Sequence, residues 1–209
     1  MACRKPLFRI IGGIFSFMTA LVLSSPVSAA PFIEEVDPPV LRRGAVTRVT
    51  LRGEDLHQAV GVWTSLPTSP ASSSVVSASR RDEAILDIAI PADAPLGMFG
   101  LRLATQSGLS NVHIVLIDEL PLTPAAEQQR PGQAVDVDLP CCVAAACRAE
   151  SVDRYGIQVK AGQSVAFEVV GSRFGKNYDP LVIVRDEAGR IVAGRDNDPG
   201  LFYDCRFAH

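Results

Sequence analysis

The sequence predicts an all-β protein: two β-sandwich domains in tandem, the first immunoglobulin-like and the second jelly-roll-like, behind a cleaved signal peptide. Past Ala30, nearly every apolar run alternates with the period that a half-buried strand requires. No stretch there sustains a helical stripe. Clusters of Pro, Gly, Asp and Ser punctuate the runs at the short intervals of antiparallel sheets.

The leader, residues 1–29, is read first. Arg4, Lys5 and Arg9 give a positive start, Ile10 to Leu23 an apolar stretch, and Val27-Ser28-Ala29 a small-residue cleavage site. A membrane span needs ~20 apolar residues, and this run is short and interrupted by Ser16 and Thr19. Cleavage near Ala30 is therefore expected, with no transmembrane span afterwards. Cys3 lies in the charged start, not after the apolar run, and so is not read as a lipid attachment point. The expected location is secreted, periplasmic or in the cell envelope.

The leader takes three of the 20 basic residues and none of the 23 acidic ones, leaving 17 against 23, a net charge of −6. Nucleic acid and anionic membrane reward clustered Lys and Arg, and both are disfavoured as partners. An extracellular or envelope protein or polysaccharide is expected instead.

The first unit spans 31–117. Asp37-Pro38-Pro39, Arg43-Gly44 and Gly53 are turn signals between its early strands. Leu86, Ile88 and Ile90 form one face of a later run. Phe99, Leu101 and Leu103 alternate with Gly100, Arg102 and Ala104, and Val112, Ile114 and Leu116 line another strand. Pro67 to Pro70, Pro91 to Pro95 and Ser107-Gly108 separate these runs. Residues 118–133, DELPLTPAAEQQRPGQ, lack alternation and read as a linker.

The second unit, 134–209, resumes the pattern with Val135, Val137 and Leu139, then Tyr155, Ile157 and Val159. A turn at Lys160-Ala161-Gly162-Gln163 reverses the chain and Val165, Phe167 and Val169 answer. Leu181 to Val184, a turn at Asp186 to Arg190, and Ile191 to Ala193 follow, and Tyr203, Cys205 and Phe207 close the chain. Ending on a new strand leaves an open edge, so this unit is expected to be incomplete at its C-terminus.

Residues 31–56, PFIEEVDPPVLRRGAVTRVTLRGEDL, run as a strand, a proline turn, a glycine and a V-T-L-x-G-x-x-L strand and turn. Residues 91–111, PADAPLGMFGLRLATQSGLSN, lead through a proline-glycine turn to a penultimate strand and a Gly-x-Ser-Asn turn. On these segments the unit resembles the IPT/TIG family of immunoglobulin-like domains. The resemblance implies a binding or spacer module without shared catalytic residues. Residues 152–198, VDRYGIQVKAGQSVAFEVVGSRFGKNYDPLVIVRDEAGRIVAGRDND, resemble the bacterial pre-peptidase C-terminal domain. That implies a β-sandwich appended to exported proteins, with a final strand beyond His209. Ala145, Cys147 and Ser151 stand where such relatives carry a glycine, an aliphatic residue and an acid.

Four cysteines survive cleavage: Cys141, Cys142, Cys147 and Cys205. An even set in an oxidising compartment favours disulfides over zinc, whose paired knuckles are absent. Cys147 and Cys205 are the natural partners, because adjacent Cys141 and Cys142 do not readily bond each other. Asp179, Asp196, Asn197 and Asp198 are candidate calcium ligands, against the ordinary turn reading of Asp-Asn-Asp-Pro-Gly. No other cofactor is expected. His57, His113 and His209 stand in no catalytic motif, and Ser69 and Ser72 to Ser74 form a low-complexity loop. Trp63, the single tryptophan, is assigned to the core ahead of an exposed sugar-stacking or protein-binding role. Arg42-Arg43 and Arg80-Arg81 read as solvated turn residues. The chain is expected to be an exported, non-catalytic binding or scaffolding protein. The alternative is the noncatalytic N-terminal part of a longer secreted peptidase or other hydrolase.

Overall fold

Alternating β-branched and aliphatic residues become strands throughout the computed structural model, which describes residues 29–66, 74–124, 133–145 and 152–209. The leader lies outside the described residues. The protein is all-β, and no helix among the described residues is long and apolar enough to cross a membrane.

In the first unit, β1 (Phe32–Asp37), β2 (Val40–Arg42), β3 (Val46–Glu54), β4 (Ala59–Thr64), β5 (Ser74–Ser79), β6 (Glu83–Ala89), β7 (Gly97–Thr105), β8 (Gly108–Leu109) and β9 (His113–Asp118) divide between two sheets. One runs β1-β3-β6-β5 and the other β2-β9-β7-β4, with β8 folded back on β7. Between them lies a single buried cluster. Ile33, Val49, Leu51, Leu86 and Ile88 come from the first sheet, and Leu41, Leu101, Leu103, Val115 and Ile117 from the second. Leu56, Ile90 and Ala94 enter the same cluster from the connections.

The expected faces of β6 and β7 are those that pack inward. In β9 the parity is reversed. Val115 and Ile117 enter the core, whereas Ile114 and Leu116 lie opposite Gly100 and Met98 on the outer face. The segment is apolar at successive positions, so alternation alone cannot choose its buried side.

Side chains close the unit where ladders end. The Asn111 amide imitates a strand: its Oδ1 accepts from the Ile33 N–H at 2.7 Å and its Nδ2 donates to the Ile33 carbonyl at 2.8 Å. The buried Ser110 hydroxyl accepts from Leu103 N–H and donates to the Asn111 carbonyl. On the opposite flank, the N–H groups of Ala59 and Val62 in β4 donate to the hydroxyls of Ser79 and Ser74 in β5. Gly44 takes φ +70° in its turn, and a Cβ on Gly53 would lie 2.0 Å from the Phe32 carbonyl oxygen. Only glycine permits that approach.

The second half is built differently. β10 (Leu122–Pro124) and β12 (Cys142–Ala144) pair in parallel, as do β11 (Val135–Val137) and β13 (Tyr155–Ile157). β14 (Ala166–Val169) pairs antiparallel with β17 (Cys205–Ala208), and β15 (Val182–Arg185) with β16 (Ile191–Arg195). A strand, β10, thus lies inside the segment read as a linker. The turn at Lys160 to Gln163 forms, but β14 answers β17 and not β13, with Phe167 and Phe207 stacked at 5.1 Å. The described strands of this half pair in twos. They are short, and Leu181, Ile183, Ile191 and Val192 stay exposed along them. A 3-10 turn (Ser172–Phe174) in this half comes close to β9.

Candidate functional site

The two sheets of the first unit present contrasting outer faces. On the four-stranded sheet the charges are paired across strands. Arg48 clasps Asp87 through two bonds of 2.8 and 3.0 Å, Ser77 donates to the same carboxylate, and Arg52 meets Glu35. The Arg48 bonds, with that of Ser77, hold the Asp87 carboxyl below its ordinary value. Both arginines of that sheet are thus answered locally, which describes a solvated surface.

The five-stranded sheet carries no such pairing. Its outward register positions include Trp63, Gly61, Arg102, Gly100, Ala104, Met98, Ile114 and Leu116. Trp63 stands directly opposite Arg102, with Gly61 facing Ala104 beside them. The Ser65 hydroxyl accepts from the Gly100 N–H at 2.8 Å, and Val112 lies where a side chain on Gly100 would go. The indole is therefore flanked by small residues and a guanidinium. Trp63 is 49% exposed, which overturns its assignment to the core. The inward position next to it belongs to Val62, which packs against the cluster, so strand parity sends the indole outward. Among the described residues, neither the indole N–H nor the Arg102 guanidinium has a hydrogen-bonding or ionic partner.

A second surface lies in the loop of residues 196–204. An open depression of about 460 Å³ is lined by Asn197, Asp198, Pro199, Gly200 and Phe202. Phe202, 78% exposed, adopts φ +58°. Asp204 anchors this loop. Its carboxylate is fully buried and accepts from the N–H groups of Gly171 and Ser172 at 2.8 and 2.7 Å, from the Arg173 N–H at 3.2 Å and from Arg173 Nε at 2.7 Å. Burial pushes the Asp204 carboxyl upward, but the Arg173 guanidinium and the three backbone donors outweigh it and hold the group below its ordinary value. Arg173 also reaches Glu168 at 2.6 Å.

The candidate calcium ligands are only partly gathered. The Asn197 amide donates to Asp179 Oδ1 at 3.0 Å and to the Tyr203 carbonyl at 3.1 Å. This bond spends the Asp179 oxygen on closing the loop. Among the described residues, no group of three or more His, Cys, Asp or Glu side chains is gathered that could hold a metal ion.

Cys141, Cys142 and Cys205 carry free thiols, and Cys147, the expected partner of Cys205, lies outside the described residues. Burial, with Asp118 and Cys141 nearby, pushes the Cys142 thiol up to about 11. Cys141 and Cys205 are also raised, chiefly by burial. A raised thiol pKa leaves less of the reactive thiolate at neutral pH. His113 Nε2 bonds the Ile33 carbonyl at 3.0 Å, and burial lowers its pKa. His57 follows Leu56 in its turn, and its buried Nδ1 has no partner among the described residues. His209 exchanges backbone hydrogen bonds with Val165. The Ser72 and Ser73 positions lie outside the described residues; Ser74 bonds Val62 N–H.

Arg102, Asn111 and Arg173 were not singled out from the sequence. Arg102 carried a usable signal: it is the one charged residue in an outward row of Met98, Gly100, Arg102 and Ala104. Comparison with protein-family models found no match, and a search of curated proteins found no relative.

Proposed function

We propose that this chain is an exported, non-catalytic binding protein whose first unit presents the outer face of its five-stranded sheet to an envelope or extracellular partner. The observation that carries this reading is Trp63, half exposed on the outer sheet face beside a guanidinium that has no partner among the described residues. Val112, 46% exposed, adds apolar surface to this face, and the partly buried Met98, Ile114 and Leu116 share its outward register. The leader supplies delivery, and both resemblances read from the sequence are to non-catalytic modules, the second of a kind appended to exported proteins. Fold by itself names no ligand.

Cell fractionation tests the reading. The expressed chain should leave the cytoplasm with its N-terminus near Ala30 and remain with washed envelope or extracellular material, and Trp63→Ala should release it. Retention in the cytoplasm, or equal retention of wild type and a folded Trp63→Ala variant, would contradict it.

A further inference from the structure

We infer that the Trp63–Arg102 face takes an acidic sugar chain, with a uronate ring lying on the indole and its carboxylate held by the guanidinium. The inference rests on the binding role proposed above and names the chemistry of its ligand.

The surroundings of Trp63 favour a ligand that lies flat. Its outward neighbours on β4 and β7 are Gly61, Gly100, Ala104 and Arg102, with Ser65 just past β4, so apart from Arg102 these strands carry only small residues beside the ring. A half-exposed indole offers an apolar face to the C–H groups of a sugar ring and an N–H to one of its hydroxyls. Charge then selects among sugars. The acids of the first unit that meet arginines do so elsewhere: Asp87 with Arg48, Glu35 with Arg52, Asp55 with Arg81 and Glu119 with Arg43. Arg102 alone faces outward beside the tryptophan with no carboxylate among the described residues, and a guanidinium fork matches a carboxylate in two parallel bonds.

A peptide fits this face less well. Extended peptides gain affinity by adding a strand to a sheet edge, and β4 is the edge of its sheet. The N–H groups of Ala59 and Val62 on that edge already donate to Ser79 and Ser74. The strand-addition route is thus occupied, while the face itself stays open.

Polygalacturonate and the same polymer fully methyl-esterified separate the contributions. Binding to the full mature chain is followed by isothermal titration calorimetry, which reads variants with and without the single tryptophan, Trp63, alike. The free acid should bind and the neutral ester should bind at least tenfold more weakly. Trp63→Ala should abolish binding. Arg102→Lys keeps a charge but loses the fork, and should weaken binding about tenfold while leaving the melting temperature unchanged. Trp63→Tyr should retain part of the affinity. Equal binding of acid and ester, or full affinity in a folded Arg102→Lys protein, overturns the inference. So does absence of polygalacturonate binding alongside capture of an acidic peptide. If the protein stays on envelope material in a Trp63-dependent way yet ignores polygalacturonate, the binding role stands and the acidic-sugar ligand falls.

Discussion

Replacing Asp204 with alanine should be among the most damaging single changes in the second half of the chain. The wild-type carboxylate answers three backbone N–H groups and one guanidinium nitrogen in a fully buried position. Removing one partner of a buried ion pair typically costs ~3–5 kcal/mol. Two features place this case near the lower end. Arg173 keeps its bond to Glu168, and the N–H groups of Ser172 and Arg173 are only partly buried, so water can replace the lost acceptor. The expected loss is therefore about 3 kcal/mol. Asp204→Asn keeps an oxygen for Gly171 and Ser172 but gives up the charged bond to Arg173, worth ~1.5–3 kcal/mol. Urea unfolding followed by far-ultraviolet circular dichroism, with hydrogen exchange at residues 171–173, should rank wild type above Asn above Ala. Folding lowers this carboxyl, so its stabilisation is complete above the unfolded pKa of about 3.9 and is lost as pH falls through the lower folded value. The alanine variant should accordingly show a shallower acid limb. An alanine variant within about 0.5 kcal/mol of wild type, the range of ordinary surface substitutions, would refute the anchoring role.

In the first unit, Asn111→Ala removes both bonds to Ile33 and should cost about 2 kcal/mol, at ~1 kcal/mol for each bond; an unchanged urea midpoint would contradict the clamp. Gly53→Ala must push β1 away from its 2.0 Å approach, so it should destabilise the unit by more than the ~1 kcal/mol typical of a residue change; a melting temperature equal to wild type would show that the approach is not required. Cys142, raised to about 11, should alkylate at pH 8 roughly two-hundredfold more slowly than an ordinary thiol of pKa about 8.5, and about tenfold faster for each unit of added alkali. Mass spectrometry of a Cys141→Ser protein reads this rate, and labelling as fast as a small-molecule thiol would contradict the burial.

Strand chemistry was legible wherever one flank was apolar and the other polar. Leu86, Ile88, Leu101 and Leu103 point inward as their alternation requires. It failed at β9, where both flanks are apolar and only the partner strand decides which is covered. Trp63 was misplaced for a related reason. A large aromatic is more often inside than out, and its outward position follows from the register of Val62 against Leu103, a nonlocal fact. Pairing in the second half was equally hidden, since the turn after Val159 predicts a reversal but not that β14 will choose β17 over its neighbour in sequence. Asp204 and Arg173 are far apart in the chain, and nothing in their local sequence pairs them. Their meeting depends on the turn that brings Gly171 and Ser172 to the same carboxylate.

The quenching of Trp63 emission by acrylamide tests the central claim most directly, because no other tryptophan contributes to the signal. The free protein should be quenched readily, as a half-exposed indole requires, and envelope or extracellular polysaccharide should protect it while shifting its emission to the blue. Emission already blue and unquenched in the free protein, or quenching unchanged by any such material, would contradict the assignment of this face to binding.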